Sequence, residues 1–230
     1  MPRLGESRLM LLEALDRHYG PLPIPGAGLA PVEGAGSFEA IVRVALGLVA
    51  EPRLASLAFN ALRDAELIDP KALAGADPLE IDDIFQQARV RLASKALKPL
   101  RRVAAWAVDR DESWAMISTE SIRDEWRGLN GVGPVTVDAL LLFALGRSTI
   151  PVDRASYRIL VRHGWLDPST DLDEARSTLE SLAPDEPDRL GQLSVAFEKL
   201  GRDHCQPAAP RCEGCPLRPL LDGEPWREHG

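Results

Sequence analysis

The chain has 230 residues and a mass of 25.1 kDa, carries 27 Lys and Arg against 35 Asp and Glu for a formal charge of −8, and holds only three cysteines. With 45% hydrophobic residues, 18 Gly and 19 Pro, it is neither disordered nor collagen-like nor low-complexity, and a chain this long buries roughly 70–75% of its unfolded surface without needing disulfides. Three cysteines build no disulfide framework, the N-terminus lacks a signal peptide's apolar core, and no apolar run reaches the roughly 18–20 residues of a membrane span, so a cytoplasmic protein without a membrane segment is expected.

Taken in order, Leu9, Leu12 and Leu15 recur at helical spacing and Gly20 follows Tyr19 as a stop signal. The Pro- and Gly-rich stretch 21–36 reads as a surface loop. Ser37 is placed to cap a helix opening at Phe38. Glu51-Pro52, Asp69-Pro70 and Asp77-Pro78 each put a proline at a first helical position. Ser94 to Val108 predicts a helix with Leu97, Leu100, Val103, Ala104 and Val108 on one side. Further helices are expected after Ser118, from Pro134 to Leu145, from Arg154 to His163, from Leu172 to Leu182 and from Asp188 to Gly201. No strand-like alternation lasts more than a few residues, so the fold class is all-α with about ten short helices.

Leu129-Asn130-Gly131-Val132-Gly133 stands between two of these helices. Gly131 and Gly133 allow positive φ and close backbone approach, and Val132 can plug the turn into the helix pair. Pro134 then opens a helix whose free N–H groups point back at the loop, an arrangement that binds phosphate without basic side chains; a plain helix–turn–helix is the structural alternative. Asp153 follows twenty residues after Gly133 at an expected helix N-cap, where it serves as a cap or as a carboxylate facing a ligand. The three cysteines fall in one C-x6-C-x2-C run, Cys205, Cys212 and Cys215. Disulfides between such near neighbours are strained and leave one thiol over, so a metal site is the favoured reading, with a metal-free loop stiffened by Pro207, Pro210 and Pro216 as the alternative.

Leu129 to Pro134, the apolar helix after it, Val152-Asp153 and Arg158 resemble the helix–hairpin–helix, Gly/Pro-loop and Asp signature of the endonuclease III superfamily of DNA glycosylases, over a span from Ser37 to the cysteines. The resemblance implies two helical lobes: a six-helix barrel lobe over 38–146 carrying the hairpin 129–133, and a lobe over 147–230 carrying the Cys cluster 205–215, with the N-terminal helix and linker 1–37 packed on it. It implies double-stranded DNA as partner, one base flipped out, and a monomer. Asp153 then stabilises the oxocarbenium-like sugar and activates water. Leu129, Asn130, Gly131, Val132, Gly133 and Arg211 become DNA contacts. The cysteines match the first three ligands of a C-x6-C-x2-C-x5-C [4Fe–4S] site whose fourth position, 221, is Leu; Asp222, His204, His229 or solvent could complete it, and a zinc site or no metal are the alternatives.

Two departures shape the expected activity. The family's Schiff-base lysine lies two residues after the second hairpin glycine, where this chain has Val135, so excision without strand cleavage is expected. The family's Gln that fills the hole left by the flipped base is replaced by Val49 or Ala50, for which an apolar wedge is one role. The rival functions are a DNA- or lesion-binding protein that does not excise, favoured by these departures and the acidic total, and a structural metal or redox-sensing module. The basic run Arg89, Arg91, Lys95, Lys98, Arg101 and Arg102 is a solvated helix face or a phosphate-tracking edge. Arg158 and Arg162 share a face and are expected to meet carboxylates or DNA. Trp106, Trp114, Trp126, Trp165 and Trp226 are mostly core or lobe-packing candidates, and stacking in a base pocket is the alternative role for one of them.

Overall fold

The computed structural model describes residues 4–26, 38–108, 110, 113–221 and 223. The expected Ser37 cap, most of the 21–36 loop, and Asp222, Trp226 and His229 lie outside the described residues. Eleven α-helices and no strands occur among the described residues: α1 (Leu4–Tyr19), α2 (Phe38–Val49), α3 (Pro52–Asp64), α4 (Pro70–Gly75), α5 (Pro78–Gln87), α6 (Lys98–Ala107), α7 (Thr119–Arg127), α8 (Pro134–Phe143), α9 (Arg154–Arg162), α10 (Leu172–Glu180) and α11 (Pro187–Asp203). None of these is long and apolar enough to cross a membrane.

Helix starts are decided locally. Proline opens α3, α4, α5, α8 and α11, where its missing N–H costs nothing. Asp69 accepts from the Ala72 amide at 2.9 Å, Asp77 from Leu79 at 2.9 Å, Ser118 from Ser121 at 3.1 Å and Asp171 from Glu174 at 2.9 Å.

The described chain divides into two compact units. One is Ile24–Arg147, holding α2 to α8. Its core gathers Phe38, Ile41 and Leu46 of α2, Phe59 and Leu62 of α3, and Leu140 and Leu141 of α8. Trp106 stacks on Trp114 at 5.8 Å and meets Trp126 edge-on at 5.5 Å. Gly47 is required by a backbone crossing: a Cβ there would sit 2.4 Å from the amide nitrogen of Gly26. The expected helix over 94–108 is a 3-10 turn, Ser94–Leu97, leading into α6. Val108, expected on its inner side, is 41% exposed, whereas Ala107 beside it is buried.

The second unit joins the chain up to Pro23 with the stretch from Ser148 onward. α1 lies on α11 through Leu11, Leu12 and Leu15. Leu9, expected on that stripe, is 71% exposed. It stands two residues before Leu11, about 200° round the helix, so the buried stripe runs through Leu4, Leu11 and Leu15 instead. Arg189 donates to both carboxylate oxygens of Asp16 at 2.8 and 2.7 Å. Gln192 exchanges hydrogen bonds with the Leu22 backbone at 2.9 and 3.1 Å. Gly201 lets α11 approach α9, since a Cβ there would fall 2.4 Å from the Ala155 Cβ.

Between α7 and α8 the first unit buries charge. Arg123 Nε donates to Asp138 Oδ1 at 2.8 Å with both side chains almost wholly buried, and Arg127 approaches Asp138 Oδ2 at 3.7 Å. Truncating one member of such a pair strands the other. Asp138→Ala is therefore expected to cost about 3–5 kcal/mol in urea unfolding, far more than removal of an exposed ion pair such as Arg63–Asp64.

Candidate active site

The hairpin is built from both flanking helices. α7 ends at Arg127, and the Val132 amide donates to the Leu129 carbonyl at 3.0 Å, closing a tight turn. Val132 is 5% exposed and belongs to the core, as a plug would, while Leu129 is half-buried against it. Asn130, Gly131 and Gly133 are exposed. Gly131 adopts φ +87°, a conformation that glycine tolerates. Gly133 differs from expectation: as the N-cap of α8 it has φ −79° and ψ 158°, which any residue adopts. No atom lies within 4 Å of a Cβ placed on it. Nothing among the described residues demands glycine there. No side chain caps α8, and its first-turn amides stay directed at that space.

Val135, in the first turn of α8, is 38% exposed. Of the two residues proposed for the missing Gln position, Val49 ends α2 at 44% exposure, whereas Ala50 packs against the core.

Asp153 belongs to the second unit. It is half-buried and is the N-cap of α9, its Oδ1 accepting from the Ser156 amide at 2.7 Å. That bond fixes the carboxylate, and Oδ2 has no partner among the described residues. Further along α9, Arg158 and Arg162 do not pair with carboxylates among the described residues. Arg158 Nε donates to the Cys205 carbonyl at 2.8 Å, and Arg162 donates to the carbonyls of Gln206 and Pro207, each at 2.6 Å, with Nη1 also 3.5 Å from Cys205 Sγ. The same helix thus holds Asp153 at one end and the Cys loop along its side.

Cys205, buried, and Cys212 and Cys215, half-buried, are free thiols lining one small cavity with Arg162, His163 and His204. Burial pushes the Cys215 thiol up, partly offset by the Leu217 backbone, and the neighbouring Cys205 and Cys212 push it further up. Among the described residues no group of three or more His, Cys, Asp or Glu is arranged to hold a metal ion, as a zinc site would require. For a [4Fe–4S] cluster the donor set stops at three thiols, and Leu221 at the fourth position offers only hydrocarbon. The residues present do not complete that group. Arg211 is exposed at the entrance to the 3-10 turn Cys212–Gly214, its amide donating to the His204 carbonyl at 2.8 Å.

No family model matches the chain. Endonuclease III of Thermotoga maritima is 27% identical over 150 residues, 65% of this chain and 66% of that protein. The adenine DNA glycosylase of Schizosaccharomyces pombe is 35% identical over 97 residues, 41% of this chain and 21% of that one. A solved non-covalent endonuclease III–DNA complex matches the fold with a TM-score of 0.64 over 94% of each chain at 20% identity. The chain is similar in sequence to endonuclease III and related DNA glycosylases and shares the endonuclease III fold. The buried pair Arg123–Asp138 and the loop-holding role of Arg158 and Arg162 are what sequence reasoning missed; a charged residue in the otherwise apolar start of α8 was the one available signal for Asp138.

His163 stacks on Trp165 with ring centroids 4.4 Å apart. Burial lowers its pKa to about 4; the Leu220 backbone opposes the shift and the Arg218 charge adds to it. The folded value lies below the unfolded one, so the unfolded chain binds the extra proton between them. Stability from this group is complete above about pH 6.5 and is lost as pH falls toward about 4, by roughly 3 kcal/mol. Urea unfolding at pH 7 and pH 4.5 is expected to show that loss, and His163→Gln to show less of it.

Proposed function

We propose that this protein is a monofunctional DNA glycosylase that acts on double-stranded DNA, hydrolysing the N-glycosidic bond of a flipped, damaged or mismatched base. The observation that carries the proposal is Asp153, anchored through one carboxylate oxygen by the Ser156 amide while the other is unbonded among the described residues. Sequence similarity supports the reaction class, since the relatives named above are an adenine DNA glycosylase and an endonuclease III.

The chemistry follows from the side chains. As the C1′–N bond breaks, the sugar gains positive charge, and a fixed carboxylate stabilises it. Asp153 Oδ2 accepts a proton from the water that attacks C1′, and the base leaves with the bonding electron pair. Val135 has no amine, so no Schiff base forms and the abasic strand stays intact. The hairpin amides around Gly133 hold a phosphate of the distorted strand. Val49, exposed and apolar, serves as the wedge that fills the vacated stack. No step passes through a metal group.

Duplexes carrying alkylated, oxidised, deaminated or mismatched bases, each followed by hot alkali, test this. Abasic product is expected from the wild-type protein and about 100-fold or more slower from Asp153→Asn, which still caps α9 because Asn caps as well as Asp. Strand breaks without alkali, or a borohydride-trapped adduct, would contradict the monofunctional reading. Absence of product with every duplex, while lesion DNA is still bound, would instead favour a non-excising DNA-binding protein. Gly133→Ala is expected to leave the unfolding midpoint nearly unchanged while weakening DNA binding about tenfold, because the added methyl meets the ligand and not the protein.

A further inference from the structure

We infer that the groove along α6 is a second DNA-backbone subsite, continuous with the hairpin and gripping successive phosphates of one strand. The inference rests on the proposed action on DNA. The groove measures about 420 Å³ and its lining includes Lys95, Lys98, Arg101 and Arg102, with no carboxylate. Arg101 is occupied: it donates to the carbonyls of Leu73 and Ala76 and so closes the C-terminal end of α4. Lys95, Lys98 and Arg102 are exposed and have no ion-pair partner among the described residues. Asp82, the carboxylate closest to this turn in its bonding, is held by the Ser94 amide at 2.7 Å and the Ser94 hydroxyl at 3.0 Å. In a chain of net charge −8, no acid among the described residues pairs with these three cations.

Two further observations choose the occupant. The cations follow one another at spacings of three and four residues, so they form a row along about 10 Å of helix and do not converge on a point. A free phosphate needs convergence, whereas a row of that length matches about three phosphates of one strand, at 3.4 Å of duplex axis each. The row also reaches the hairpin. A Cβ placed on Gly131 would lie 3.3 Å from Lys98 Cε and 3.5 Å from its Nζ. Lys98 therefore stands beside the uncharged amide donors of the hairpin and adds a cation to them, and Lys95 and Arg102 extend the track.

The test measures affinity of the full chain for an undamaged duplex by anisotropy across a sodium chloride series. Lys95→Glu and Arg102→Glu are each expected to reduce the slope of log affinity against log salt by about 0.9 for every phosphate that is no longer neutralised, and Lys95→Gln with Arg102→Gln combined to do so without added repulsion. Arg17→Glu, an exposed charge on α1, is expected to keep the wild-type slope. Slopes of the groove variants equal to wild type, with circular dichroism unchanged, would overturn the subsite. So would a wild-type affinity that does not respond to salt. Excision assays on the same proteins separate the two readings. Reduced slopes with no excised base on any duplex would leave the subsite standing and remove the glycosylase reading. Unchanged slopes with excision intact would remove the subsite alone.

Discussion

Asp138 is a carboxylate buried between two arginines of the preceding helix, and the presentation of the hairpin depends on it. A buried carboxylate without partners would be forced to neutralise or to expose itself. Here Arg123 meets it at 2.8 Å in a setting from which water is nearly excluded. The bond ties α7 to α8 one turn away from the glycines. With the helices locked, Val132 drops into the core and the uncapped amides of α8 face outward. The pair is costly to bury and costly to break, and its contribution is to hold one arrangement of the two helices against others.

The second unit achieves a comparable rigidity by neutral acceptors. α9 is capped by Asp153 and flanked by Arg158 and Arg162, whose guanidinium groups hold the carbonyls of Cys205, Gln206 and Pro207. Charge-assisted bonds of this kind are stronger than neutral ones. They hold the Cys loop through protein groups alone, which is why a loop with three thiols and a leucine at the fourth position still has a defined path. The loop is thereby linked to the helix whose first residue neighbours the proposed catalytic carboxylate.

The distribution of charge is compatible with the action on a polyanion proposed for this acidic chain. The backbone amides of Gly131, Gly133 and the first turn of α8 donate without adding to the formal charge. The cations that do count are set in a row along α6 beside them. Many acids lie in a different part of the chain, between Asp167 and Asp188, where Asp171 caps α10 and Asp173 and Glu180 meet Arg176. Net charge is a sum over the whole surface, whereas a phosphate responds to donors within roughly a Debye length, about 8–10 Å at physiological salt.

By itself the sequence determined what is settled within about four residues. Prolines and Asp caps placed the starts of α3, α4, α5 and α8, the Gly131 turn was legible as a turn, and Cys205, Cys212 and Cys215 declared themselves by spacing. Asp153 was legible as a cap for the same reason, since its acceptor role ends at Ser156. Helical periodicity also announced an all-α protein, although it misjudged Leu9 and Val108, whose side chains face outward. Only the tertiary structure decided which partner each long polar side chain takes: Arg123 finds Asp138 fifteen residues on, and Arg162 finds Gln206 at a separation of 44. It alone put Lys98 beside Gly131 and showed that Gly133 needs no positive φ. Caps and turns are bonds of the chain with its own neighbours, so composition and order suffice to read them. Arginine and lysine reach several ångströms in any direction, and what they meet is decided by how the helices pack.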